Sequence, residues 1–344
     1  MKNMKLYIFL LIVFFLVFSC TQHDSERENT EDENPKVETS GGSSRIPVLF
    51  DTDANNELDD QHALAYLFFN KDVFDIVGIT VNATPSGGHL NEHFLEAERV
   101  MKLCDVYNKY PLKKGANANF EEIFPEIEKN SFDGKEAVDF IIEEARKTRE
   151  QPLVLLPVGK LTNIALALAI APDIKSKVRI VWLGGNYPEK GEYNLNSDIP
   201  SMNYVLEQDV PFEMVTVRYH KPSGTDAVRV TPDQIHQKMK GLGPKVGSVK
   251  GRHGGSFTRF GDYSISLFEH IDLFGDPPSR ALFDMVAVAI LKNSSWGEAL
   301  EIPKPTMING EWTESSEYSQ KIIIWENFNK KAILNDFFHT MKNQ

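Results

Sequence analysis

The sequence has only two cysteines in 344 residues, Cys20 and Cys104. No disulfide framework can underlie the fold, and no internal bridge exists at all if Cys20 is acylated. Positive charge is scarce as well: 37 Lys and Arg stand against 49 Asp and Glu, a net charge of −12. No stripe of Lys and Arg interleaved with aromatic residues occurs, which removes the usual footprint of a nucleic-acid partner. No apolar run reaches the roughly 20 residues that span a bilayer; the longest extends from Leu6 to Phe18. A chain without disulfides must rely on its core, and 41% hydrophobic residues suffice for one.

Lys2 and Lys5 precede that apolar run, so residues 1–19 read as a signal peptide. The run ends Val17-Phe18-Ser19-Cys20, which resembles a bacterial lipobox and would make Cys20 the lipidated first residue of the mature chain. A plain signal peptide or an uncleaved anchor are the alternatives. Residues 20–44 follow as a flexible acidic tether, with Asp24, Glu26, Glu28, Glu31, Asp32, Glu33 and Glu38 opposed by Arg27 and Lys36; such a stretch cannot bury enough apolar surface to fold. The expected location is therefore exported and lipid-anchored in a bacterial cell envelope, with membrane contact through the lipid alone.

Residues 45–344 then form one large α/β domain. Strand-like runs at 45–50, 74–81, 153–157 and 178–183 alternate with helical patterns at 58–69, 90–107, 134–147 and 161–170. This alternation predicts a Rossmann-like, mostly parallel sheet flanked by helices, with ligands bound beyond the carboxyl ends of its strands. Toward the C-terminus, 300–303 and 321–325 read as strands and 327–341 as a helix, completing the sheet and covering it.

Asp51, Asp53, Asp59 and Asp60 fall within ten residues, just where the first strand gives way to a loop and a helix. Four carboxylates at such a place repel one another unless a cation or a shared proton holds them. Asn82, Val158 and the segment 184–186 lie at equivalent strand ends. Past the last of these, Asn186, Glu192, Asn194 and Asp198 can present amides and carboxylates to a polyhydroxylated ligand, although polar surface loops have the same composition. Asp284 interrupts an apolar run at a helix start, where a capping role is the plain alternative to a metal role.

These motifs in this order resemble the nucleoside hydrolase family, the inosine/uridine-preferring N-ribohydrolases, over Ile46 to about Ser294. The family's Asp-x-Asp-Pro-Gly-x-Asp-Asp loop is matched by Asp51, Asp53, Asp59 and Asp60. Its second signature looks like LLPVGKLTNIALAL, its third like GGN followed by EYN, and its late aspartate like Asp284. The resemblance implies a nucleoside hydrolase fold that releases base and ribose from a nucleoside or N-riboside. It implies Ca²⁺ held by Asp53, Asp60, the Val158 carbonyl and Asp284, with Asp53 also the base that deprotonates the attacking water. Asp59, Asn82, Asn186, Glu192 and Asn194 would contact ribose hydroxyls, and a homodimer or homotetramer would be usual.

The chain departs from the family pattern in three places. ANNEL between Asp53 and Asp59 is two residues longer than the usual Pro-Gly-x, and Glu57 within it offers a further ligand. Phe283 stands where the family commonly carries a histidine associated with the leaving base. A His-Gly-x-Asp-Gly pattern is half kept, as Asp133 and Gly134. Among the other histidines, His62, His89, His93, His220 and His253, surface placement is expected, with His253 in a glycine-flanked loop that can cover the site. Tyr187 and Tyr193 are available to pack on a base. Two other readings compete: a non-catalytic surface lipoprotein that binds ribosides, and a haloacid-dehalogenase-like phosphatase with Asp51 as nucleophile, for which Asn55 is the wrong residue.

Overall fold

The structure, a computed structural model, describes residues 45–314 and 320–344. The signal segment, Cys20 and the acidic tether lie outside the described residues.

The first six strands are β1 (Ile46–Thr52), β2 (Phe74–Val81), β3 (Leu112–Lys114), β4 (Leu153–Pro157), β5 (Val178–Leu183) and β6 (Phe212–Val215). Together with Glu298–Pro303 and Lys321–Glu326 they build one eight-stranded sheet. Its order is Glu298–Pro303, Lys321–Glu326, β6, β5, β4, β1, β2, β3. Every pairing is parallel except that between the two late strands. The chain runs outward from β1 through β2 to β3 and then returns to β4 on the other side of β1. The carboxyl ends of β1 and β4 therefore flank a topological switch point, where an open α/β sheet has a natural crevice.

The central strands β1, β2, β4 and β5 are largely apolar because both faces are covered. Along β1, Val48 and Phe50 enter one core and Leu49 the other; along β5, Val181 and Leu183 alternate with Ile180 and Trp182 in the same way. The first core is roofed by helices α1 (Asp59–Phe68) and α2 (Leu90–Leu103). On the opposite face, beyond the short α3 (Phe120–Ile123), lie α4 (Lys135–Arg146) and α5 (Thr162–Ile170). The short α6 (Tyr193–Ser197) leads into α7 (Ile199–Glu207), which joins that second layer. Helices α8 (Pro232–Met239), α9 (Phe260–Phe268), α10 (Phe283–Lys292) and α11 (Lys330–Lys342) complete the first.

The expected alternation is present, with two corrected boundaries. The helix expected to run to residue 107 stops at Leu103, where Asp105 takes a φ of 57° and turns the chain. The last helix starts at Lys330 rather than 327, because Asn327 has a φ of 52° and Asn329 caps the helix by accepting the Ala332 amide. Among the described residues no helix is long and apolar enough to cross a membrane.

Candidate active site

Asp51 is the last but one residue of β1, paired with Thr80 on β2 and Pro157 on β4. Its carboxylate is fully buried and accepts from Thr80 Oγ1 (2.5 Å), Asn163 Nδ2 (2.7 Å) and Asn82 Nδ2 (2.8 Å). Burial pushes its pKa up to about 6 despite these donors. Asp51 thus ties three elements together below the crevice and does not itself line it, which removes the geometry a phosphatase nucleophile would need.

Asp53 lies two residues further on, in the crevice. One of its oxygens accepts from the Thr84 hydroxyl, and burial raises its pKa. The ANNEL loop is fastened from several directions. The Asn56 amide donates to the Asp53 carbonyl (2.9 Å), Asn55 Nδ2 to Gly87 O (2.6 Å) and Gln61 Nε2 to Ala54 O (2.7 Å). Arg252 reaches the Asn55 carbonyl (3.2 Å), and Glu57 forms an ion pair with Arg280. Glu57 lines the crevice, yet its carboxylate is engaged by Arg280 and stands apart from the convergent acids.

This fastening delivers Asp59 and Asp60 to the first turn of α1, beside Asp284 in the first turn of α10. Carboxyl oxygens of Asp59, Asp60 and Asp284 lie within 4.8 Å of one another, and all three residues are buried. Asp284 is not a cap: the N-cap of α10 is Leu282, and Asp284 points at the acids of α1. The amides of Asp59, Asp60 and Asp284 face the Asp59 carboxylate, as expected where two helix N-termini meet an anion. They do not offset burial, which together with repulsion from Asp53 lifts Asp59 to about 7. Asp60 and Asp284 are raised well above the carboxylate range, first by burial and then by their acidic neighbours, and they share a hydrogen bond that requires a proton.

Paired buried carboxyls held by a proton are what an oxygen-rich cation site presents without its cation. The donors are all hard oxygens, and the Val158 carbonyl lines the same crevice, bound by Asn194 Nδ2 at 2.7 Å. Next to it, a Cβ on Gly159 would come within 2.9 Å of both Asp53 Oδ1 and Asn82 Oδ1, so the backbone there must be glycine to pass so close. The residues present therefore fit a divalent cation of oxygen preference.

The remaining wall comes from the loops after β5 and β6. Glu192 caps α6, accepting the amides of Gly185 (2.8 Å), Asn194 (2.9 Å) and Leu195 (2.8 Å). Glu192, Tyr193 and Asn194 line a crevice with Asp53, Asp59, Asp60, Asp284, Asn56, Val217, Tyr219 and Phe283. Two expected ribose contacts lie outside this lining. Asn82 is buried beneath it, its Oδ1 without a partner among the described residues. Asn186 gives its amide to the Lys190 carbonyl (3.1 Å) and accepts the Tyr219 amide (2.9 Å), which shapes the loop. Asp198 is structural, capping α7 and accepting the Phe120 amide (2.8 Å). Asp133 accepts the amides of Asn117 and Ala118. Tyr187 bonds Glu314 and packs on Trp312 away from the crevice.

Two histidines expected at the surface are in the interior. His93 lies under the aspartate loop, with Nδ1 2.7 Å from the Asp53 carbonyl. His62 sits among Phe260, Phe268 and Phe337, bonded to the Leu58 carbonyl (2.6 Å) and Ser264 Oγ (2.7 Å). Its position on an otherwise buried helix follows from those two bonds, which satisfy both ring nitrogens. His62→Ala removes them together with three ring contacts and is expected to cost about 3 kcal/mol, read as a lowered denaturant midpoint. His253 is exposed and stacks on His270; its loop approaches the site only through Arg252.

Tyr219, Thr84, His93 and Asn163 were not legible as site or supporting residues. Tyr219 follows β6, a strand of four residues carrying Glu213, so the signal that collects residues at carboxyl ends was absent there. Glu213 is accommodated by Arg179 and by the Trp325 indole (2.7 Å).

A doubly wound α/β sheet with a buried, cation-fitting acidic crevice at its switch point defines a ligand-binding α/β domain. The chain belongs to the inosine-uridine preferring nucleoside hydrolase family, which it matches over residues 48–332. The family is one of enzymes that act on N-glycosyl bonds. A putative pyrimidine-specific ribonucleoside hydrolase, RihB, of Shigella boydii is 29% identical over 148 residues, 41% of this chain and 55% of that protein. The pyrimidine-specific ribonucleoside hydrolase RihA of Shewanella oneidensis is 36% identical over 84 residues, 23% of this chain and 26% of that one. The matches thus span less than two thirds of these relatives' length. Among solved structures, a plant nucleoside hydrolase, PpNRh1, aligns over 87% of this chain and 99% of its own at a TM-score of 0.66 and 13% identity. A purine-preferring ribonucleoside hydrolase from Gardnerella vaginalis aligns over 86% and 98% at 0.65 and 18%. These two likenesses bear on the fold, which agrees with the expected one.

Proposed function

We propose that the protein hydrolyses the N-glycosidic bond of a ribonucleoside or related N-riboside, with Ca²⁺ as cofactor, releasing base and ribose. The observation that carries this reading is the presence of Asp53 in the same crevice as the converging carboxylates of Asp59, Asp60 and Asp284. Ca²⁺ suits a set of carboxylates and a carbonyl, here Asp53, Asp60, Val158 and Asp284, and the Asp59 carboxyl converges with those of Asp60 and Asp284. When bound it would supply charge compensation and increased acidity to the attacking water. Asp53 takes the proton of that water. Asp59, Glu192 and Asn194 bind ribose hydroxyls, while Asn82 and Asn186 hold the wall from behind. As the bond to the base lengthens, positive charge grows on the sugar, and the carboxylates around it stabilise that charge.

The full-length chain incubated with inosine or uridine and Ca²⁺ is expected to release reducing sugar. Binding without release would instead favour the riboside-binding lipoprotein. Asp284→Asn is expected to weaken Ca²⁺ affinity about 10-fold or more, roughly 1.4 kcal/mol, by calorimetry; unchanged affinity would remove Asp284 from the ligand set. We also infer from the sequence that the protein is exported and anchored through Cys20, which metabolic labelling with a fatty acid, and its loss in Cys20→Ala, would test. The family's dimeric or tetrameric habit is an expectation for this chain that sedimentation would check.

A further inference from the structure

The reaction proposed above leaves an electron pair on the departing base, and Phe283 has no proton to give it. The crevice must therefore be searched for another donor. Its carboxyls are engaged: the two oxygens of Glu192 accept three backbone amides, and the aspartates serve the cation and the water. Two phenols remain among the lining residues. The Tyr193 hydroxyl accepts the Ser86 amide at 2.7 Å and so bridges the rim to the loop after β2. The Tyr219 hydroxyl likewise accepts a backbone amide, that of Tyr193, and what sets Tyr219 apart is its place against Phe283. Its ring meets the Phe283 ring edge to face, centroids 6.0 Å apart and planes at 86°, and its main chain is fixed by the 2.9 Å bond from its amide to Asn186. Among the described residues no acceptor takes its hydroxyl proton in a hydrogen bond.

Resting on the riboside-hydrolase reading, we propose that Tyr219 is the catalytic acid that protonates the departing base, acting from beside the position Phe283 occupies. Water gives its oxygen to the anomeric carbon and one proton to Asp53. The carbon–nitrogen bond breaks with its electron pair leaving on the base, which takes the Tyr219 proton. The proton on Asp53 then returns to the phenolate through solvent, so one water is consumed and no other reactant is needed. Burial and the nearby Glu192 carboxylate keep the phenol protonated throughout the neutral range. The same negative surroundings make the departing base anion more basic, which offsets the weaker acidity of the buried phenol. A phenol at this place also confers a preference: bases that leave as strongly basic anions depend on it, and leaving groups stable as anions do not.

The test compares the full-length wild type, Tyr219→Phe and Tyr193→Phe, with Ca²⁺ present, on inosine, uridine and p-nitrophenyl β-ribofuranoside, whose phenolate departs without a proton. Tyr219→Phe is expected to lower kcat on both nucleosides about 100-fold or more while changing the nitrophenyl riboside rate by no more than roughly threefold. Tyr193→Phe should show no such selectivity. Equal losses on both substrate types, no loss on either, or a selective loss in Tyr193→Phe would each overturn the assignment. Failure of the wild type to cleave even the nitrophenyl riboside would bring down riboside hydrolysis itself, and the acid with it. Cleavage of that compound with inert nucleosides would overturn the acid alone.

Discussion

Asp53→Asn is expected to lower kcat for riboside hydrolysis by about 1,000-fold or more without loss of fold, since general base catalysis contributes on the order of 10²–10⁴-fold. Asparagine has the shape of aspartate and keeps an oxygen for the Thr84 hydroxyl, so the fastening of the aspartate loop survives. It cannot take a proton from water. Removing one of four buried acids also lessens the repulsion that raises Asp59, Asp60 and Asp284, so the cation-free variant should melt no lower than the wild type. Single-turnover kinetics beside a thermal melt measure both effects. A variant that turns over normally would place the base elsewhere.

The second large effect concerns the cation. Without it, the folded chain holds protons on Asp59, Asp60 and Asp284 that the unfolded chain releases near the ordinary value of 3.8. A group whose pKa is raised on folding contributes stability that is lost as pH rises through its folded value. For Asp59 that window runs from 3.8 to about 7, and for Asp60 and Asp284 it extends upward from 3.8 well beyond the carboxylate range. His62 has the opposite dependence: burial lowers it from 6.5 to about 4, so its contribution is complete above 6.5 and is lost on acidification. Melts from pH 6.5 upward therefore isolate the carboxyls. In chelator the melting temperature should fall steadily as pH rises. Millimolar Ca²⁺ should abolish that fall, because the bound ion favours the ionised acids. Identical melts in chelator and Ca²⁺ at pH 8 would refute the cation site.

Much of this is legible in the sequence. The strands that form the middle of the sheet are long, apolar and bounded by helical periodicity, so β1, β2, β4 and β5 emerged at or near their observed limits. The acids were legible because charge after a buried strand demands a partner. β6 was not, because four residues including Glu213 carry too little pattern, and with it went Tyr219. His62 and His93 were misplaced because a histidine's burial depends on acceptors that only tertiary structure brings together: the Ser264 hydroxyl 202 positions away for one, the Asp53 carbonyl for the other. Asn82 and Asn186 shared the composition of ribose-binding residues, yet hydrogen bonds to Asp51, Lys190 and Tyr219 place them in the supporting wall.

The fastening of ANNEL has a consequence for anyone who would reshape this protein. Its partners are dispersed over the chain at Gly87, His93, Arg252 and Arg280. Loop length here is consequently not a local variable. Shortening the segment to the three-residue form would strand the buried Arg280 guanidinium and withdraw the acceptor from Arg252. A graft of the loop into a relative would succeed only if those distant positions travelled with it, so the segment and its four anchors form a single heritable unit despite being scattered across more than two hundred residues of sequence.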